Sequence, residues 1–104
     1  MLSIKEIASR VQPVVKKYQV EKVILFGSYA RGEASDASDI DLMVDSRGRL
    51  RNRKIFALGG ELLDALPVRV DVYDLLEIEG QPAMRERIQE EGVVIYDSAR
   101  HETP

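Results

Sequence analysis

Two aspartates one residue apart, Asp39 and Asp41, leave the stretch that carries them few ways to fold. The run Ser38-Asp39-Ile40-Asp41-Leu42-Met43-Val44 alternates as a strand does, with Ile40, Leu42 and Val44 on one face. Asp39 and Asp41 share the other face, their Cα atoms roughly 6.6 Å apart along an extended chain. Like charges held side by side repel, and folding alone gives no reason to keep both ionised. A divalent cation removes that cost, and Mg²⁺ favours one or two carboxylates together with substrate phosphates.

Upstream lies the second half of the pattern. Val23-Ile24-Leu25-Phe26 is short and apolar enough for a buried strand, and Gly27-Ser28 follows at once. Glycine permits a sharp turn and a close approach, since no Cβ stands in the way. Tyr29-Ala30-Arg31 can begin a short helix that Gly32 ends. Strand, Gly-Ser turn and helix start together make a phosphate cradle. Arg31 could neutralise a phosphate, or pair with Glu33 or Asp36 at the surface. Tyr29 reads as a packing or partner-contact residue. Taken separately, the turn is an ordinary connection and the aspartates an exposed strand edge; in succession they point to nucleotidyl transfer.

The segment GSYARGEASDASDIDL resembles the signature of the DNA polymerase beta nucleotidyltransferase superfamily, Gly-Ser followed after a spacer by Asp-x-Asp. In so short a chain it is most similar to the minimal nucleotidyltransferase antitoxins, and the likeness extends from Val20 to Asp97. It implies a polymerase beta-like α/β fold: a small mixed sheet with helices packed against it. It also implies a cognate HEPN-domain ribonuclease toxin, silenced when AMP passes from ATP to one of its tyrosines. Carried onto this chain, the catalytic and metal-binding residues are Asp39, Asp41 and Asp71. The nucleotide-binding set is Gly27, Ser28, Arg31 and Ser38, with two Mg²⁺ ions as cofactors and ATP as substrate. A hetero-oligomer with the toxin is implied as well. The alternatives are an antitoxin that blocks its toxin by contact alone, and a transferase acting on a small molecule.

The remainder reads as scaffold around this centre. Ser3 and Glu6 form a capping box, with Leu2 and Ile7 as a staple across it. Ile4, Ile7, Ala8, Val11, Val15 and Tyr18 recur at helical spacing, and Pro13 predicts a kink or break near Gln12. Five basic residues fall between Arg47 and Lys54, either a solvated loop and helix start or a patch for phosphates or an acidic partner. Ile55, Leu58, Leu62, Leu63 and Leu66 set out a helix ending before Pro67. Gly59-Gly60 inside it calls for close packing or a local bend.

Val68 to Tyr73 alternates, valines to the core and Arg69, Asp71 and Tyr73 opposite. Beside the Asp39–Asp41 strand, Asp71 would complete a triad; Asp74 is the rival, though parity turns it towards the valine face. Leu75 to Gly80 reads as a connection. Pro82 opens a last helix with Met84, Ile88 and Arg85 inward, and Gly92 caps it. Val93 to Asp97 is a final strand, central or edge. Residues 98–104, with His101 exposed to solvent, read as a frayed tail.

A chain of 104 residues makes one domain, 1–104, with no room for a second that would hold the acceptor, so a partner is expected to present it. A net charge of −3 and a pI near 5.2 argue against general nucleic-acid binding. Without cysteine there are no disulfides and no thiolate metal sites. The opening MLSIKEIASR does not read as a signal peptide, and no apolar run suits a membrane span. The expectation is a soluble cytoplasmic protein.

Overall fold

The computed structural model describes residues 1–50 and 53–101. Four strands form one mixed sheet in the order β3-β2-β1-β4: β1 is Lys22–Phe26, β2 Ile40–Asp45, β3 Val70–Asp74 and β4 Val93–Asp97. β1 runs antiparallel to both neighbours, and β2 and β3 are parallel. The parallel pair requires a crossover, which the helix α3 (Arg53–Ala65) supplies.

Alternation along the strands builds two unequal layers. Val23, Leu25, Ile40, Leu42, Val44 and Val70 join the main core, where Ile7, Val11 and Val15 of α1 (Ile4–Lys17) meet Leu58 and Leu62 of α3. Phe26, Met43 and Ile78 make a smaller cluster on the other face, with Ile24, Tyr73, Met84 and Ile88 beside it. Two helices cover that face, α4 (Leu75–Ile78) and α5 (Pro82–Glu91). β4 lies at the edge, and its register slips opposite Val23/Ile24, so that Ile95 and Tyr96 both enter the main core.

Local signals explain most element ends. The Ser3–Glu6 box caps α1, and α2 (Ser28–Arg31) stops at Gly32, whose φ of 73° is left-handed. Leu75 to Ile78 is a helix rather than a plain connection. Its cap is Asp74, which accepts the Leu76 N–H at 3.0 Å while Glu77 returns a bond to the Asp74 N–H. Asp74 also accepts the hydroxyl of the fully buried Ser46 at 2.8 Å. Its carboxylate is thus spent at the far end of the strand.

Several expectations are corrected. α1 runs unbroken through Pro13, because Val11 and Val15 on either side are fully buried and hold the helix to the sheet. β3 begins at Val70 rather than Val68. Leu63 lies outward, 48 % exposed. Gly92 does cap α5 as expected, in an extended conformation (φ −66°, ψ 140°). Arg85 is exposed and not on the inner side of α5. Ser98 is no frayed residue: its N–H donates to the Glu21 carbonyl at 2.8 Å and opens a short helix, α6 (Ser98–His101). Arg51 and Asn52 of the basic run, the His101 side chain and residues 102–104 lie outside the described residues.

Close packing does not account for the glycine pair. Nothing lies within 4 Å of a Cβ built at Gly59 or Gly60, and α3 is continuous through both. Gly60→Ala should therefore stabilise the fold by about 0.5–1 kcal/mol, the helical cost of glycine relative to alanine. Chemical denaturation measures it; a loss of stability would mean that the helix bends there.

Candidate active site

The site lies where β1 ends. In register, Phe26 pairs with Asp41 and Asp41 pairs with Asp71, which sets the two carboxylates side by side beyond the Gly27 turn. Gly27 has φ +81° and ψ −161°, a conformation that side chains rarely adopt. A Cβ there would fall on the Asp41 carboxylate, only 3.2 Å from its Cγ. The close approach that glycine permits is therefore made first by the chain's own Asp41.

The electrostatics follow from this crowding. Burial raises the Asp41 carboxyl above its ordinary range, and Asp71 adds to the rise. Arg87 opposes it, while Asp39 and Glu91 push the same way more weakly. The Tyr73 hydroxyl is also raised, by burial first and then by Asp71 and Asp41. Asp39 stands just ahead of β2, half-buried. Arg69 reaches Asp71 at 3.6 Å, but its side chain is 73 % exposed and the pair is weak.

The anion-binding side is more occupied. Arg31 donates from Nε to Glu33 at 2.8 Å, one of the surface pairings open to it, and from Nη1 to both oxygens of Glu91 at 3.1 and 3.0 Å. Glu91 accepts the Gly27 N–H as well. The Ser28 hydroxyl has no partner among the described residues. The Ser38 hydroxyl accepts the Ser35 N–H at 2.9 Å and so closes the turn that leads into Asp39. Arg87 lays its guanidinium 5.8 Å from the Phe26 ring centroid, and the Phe26 and Tyr73 rings lie 5.9 Å apart.

The structure thus brings Gly27, Asp41 and Asp71 together with Arg31 beside them, Asp39 at the edge and Ser38 turned to its own loop. Among the described residues no three acidic or histidine side chains are gathered closely enough to hold one metal ion. The donors still suit a hard cation: they are oxygens only, and negative charge is crowded round a half-buried carboxylate. Reasoning from sequence missed Glu91 and Arg87. A signal existed for the first, since Glu91 follows Met84 and Ile88 at helical spacing and so falls on the inward stripe of α5.

Residues 9–101 match the family model described as Polymerase beta, Nucleotidyltransferase. The chain is 34 % identical over 93 residues to MJ1217 of Methanocaldococcus jannaschii, provisionally named a protein adenylyltransferase, covering 88 % of this chain and 94 % of that one. It is 34 % identical over 76 residues to protein adenylyltransferase MntA of Thermococcus cleftensis, covering 69 % and 77 %. Among solved structures, a chain of a toxin–antitoxin complex with AMP-PNP superposes with a TM-score of 0.75 at 23 % identity, over 90 % of this chain and 76 % of that one, a likeness of fold. So does a chain of the complex between tri-AMPylated HEPN toxin of Shewanella oneidensis and its MNT antitoxin, with a TM-score of 0.68 at 20 % identity over 92 % and 74 %. With the family model matched over residues 9–101 and relatives 34 % identical along nearly their whole length, the chain belongs to the polymerase beta nucleotidyltransferase family.

Proposed function

We propose that this protein is an antitoxin that transfers AMP from ATP to a tyrosine of a cognate HEPN toxin. The observation that carries the reading is the pairing of Asp41 with Asp71 across β2 and β3, directly against the Gly27 turn. Relatives named protein adenylyltransferases support the reaction class, and toxin–antitoxin complexes of like fold support the partner. A cytoplasmic location follows from an ATP-dependent reaction on a ribonuclease toxin.

In this reading Ser28 and Arg31 receive the phosphates of ATP, and the open end of the sheet admits the acceptor tyrosine. Mg²⁺ would be held by the paired Asp41 and Asp71, with Asp39 drawn in from just ahead of β2, and would supply the positive charge that steadies the attacking and leaving oxygens. Asp71 takes the proton from the tyrosine hydroxyl as its oxygen bonds to the α-phosphorus. The bond from that phosphorus to the β-phosphate oxygen breaks, pyrophosphate departs, and AMP remains on the toxin. Asp74 has no part, because Ser46 and the cap of α4 hold its carboxylate elsewhere.

Asp41→Asn should abolish transfer while sparing the fold. The folded parent has a raised Asp41 pKa and so binds that proton more readily than the unfolded chain. Without metal, the parent should therefore lose stability relative to the variant as pH rises from the ordinary aspartate range through the raised value. Below pH about 3 the pH-dependent part of the difference should vanish, since Asp41 is then protonated in both the folded and the unfolded parent. Denaturation in EDTA across pH measures it, and a variant much weaker than the parent at neutral pH would make Asp41 a structural residue.

Asp71→Asn should slow transfer by roughly 10² to 10⁴, the usual worth of a positioned base. Asp74→Asn should change the rate little, since asparagine caps a helix as well as aspartate does. Single-turnover rates decide, and a reversed order would assign the base to Asp74.

Purified protein with ATP and Mg²⁺ should yield little product until toxin is added, whereupon mass spectrometry should find AMP on a toxin tyrosine. Protection should outlast removal of the antitoxin and disappear in Asp39→Ala/Asp41→Ala at substoichiometric amounts. Neutralisation by that double variant at every ratio, with no mass added to the toxin, would replace catalysis by contact inhibition.

A further inference from the structure

The turn that should take the nucleotide's phosphates already holds an anion, and that anion belongs to the chain itself. Glu91, the last residue of α5, accepts the Gly27 N–H and takes Arg31 Nη1 on both carboxylate oxygens at 3.1 and 3.0 Å. Its side chain is 15 % exposed, so the carboxylate is tucked into the turn and does not merely lie over it. A carboxylate and a phosphate oxygen make the same demand, N–H donors and a guanidinium. The Gly27 amide has one hydrogen to give and cannot serve both. Arg31 has Nε engaged by Glu33 at 2.8 Å and Nη1 by Glu91.

Building on the nucleotidyl-transfer reading, we propose that Glu91 is a resident occupant of the phosphate seat, which a nucleoside triphosphate must displace before it can bind productively. The displaced carboxylate has a place to go. Arg87, one helical turn earlier, holds Nη2 3.9 Å from the same Glu91 oxygen. Rotation of the side chain alone moves it from Gly27 and Arg31 to Arg87. The backbone beneath stays put, because a Cβ at Gly92 would come within 2.7 Å of Ile24 Cγ2, so the end of α5 is tightly seated on β1. The exchange trades one carboxylate on Arg31 for the several charges of a polyphosphate, so the seat favours triphosphates over singly phosphorylated molecules.

The test is ATP affinity by calorimetry at fixed Mg²⁺, for the parent, Glu91→Gln and Glu91→Asp, each first shown by thermal melting to be folded. Glu91→Asp decides, because it keeps the charge and loses only the reach. Both variants should bind ATP about tenfold tighter, the equivalent of one charge-assisted hydrogen bond that no longer has to be broken. Tighter binding by Glu91→Gln alone, with Glu91→Asp equal to the parent, would mean diffuse repulsion and overturn the seat. A parent that binds ATP with neither variant binding tighter overturns it too, and leaves the transfer reading standing. If none of the three binds ATP, the transfer reading itself fails and the seat with it.

Discussion

Everything at the site depends on the Asp41 carboxylate lying in the space that a side chain on Gly27 would fill. Antiparallel pairing of β1 with β2 puts Phe26 opposite Asp41, so the carboxylate must pass over the residue at which β1 ends. A residue with a Cβ would occupy that space, and its backbone would resist a φ of +81°. Glycine meets two demands at once. It turns the chain into α2, and it lets a charged side chain lie against the turn from which the Gly27 N–H points. The distance between the carboxylates and the Gly27 turn is thereby fixed by strand pairing.

The two faces of the sheet divide the labour. On one, α1 and α3 bury a continuous aliphatic core that supplies most of the stability, at about 25 cal/mol for each Å² of apolar surface removed from water. On the other, the small cluster around Phe26, Met43 and Ile78 covers only part of the sheet. The uncovered end is where like charges are brought together. Asp41 shows the cost in its raised pKa, and Arg87 relieves part of it from above the Phe26 ring. Polar groups elsewhere are paired off: Ser46 with Asp74, and Glu61 with Lys17 and Tyr18 between α1 and α3. Among the described residues, the like-charge crowding thus gathers round Asp41 and Tyr73 at that end.

What could be read along the chain was whatever depends on neighbours in sequence. The Ser3–Glu6 box, the alternation that sends Ile40, Leu42 and Val44 into one core, Pro82 opening α5 and Gly32 closing α2 are all local physics, and all four stand in the fold, with Asp39 just ahead of the strand. Parity also separated Asp71 from Asp74, since alternation about the valines of β3 leaves only one of them on the aspartate face. The misses were long-range. Pro13 is carried inside α1 because tertiary burial on both sides outweighs one lost hydrogen bond. Leu63 was counted with the helix's apolar stripe, although only the fold shows which face meets the sheet. The cap at Asp74 is by contrast local, a capping box with Glu77.

By itself the sequence determined the elements and the residue types they carry: a Gly-Ser turn after an apolar strand, an Asp-x-Asp segment running into the next strand and a later acidic strand, each a matter of residue type at fixed short spacing. The tertiary structure decided which groups confront one another. Parallel pairing across the α3 crossover brought Asp71 to Asp41, thirty positions away in the chain. Return of the chain through α5 delivered Glu91 to the Gly27 amide, sixty-four positions away, and there it pairs with Arg31. No local propensity encodes such meetings, because they depend on how whole layers pack.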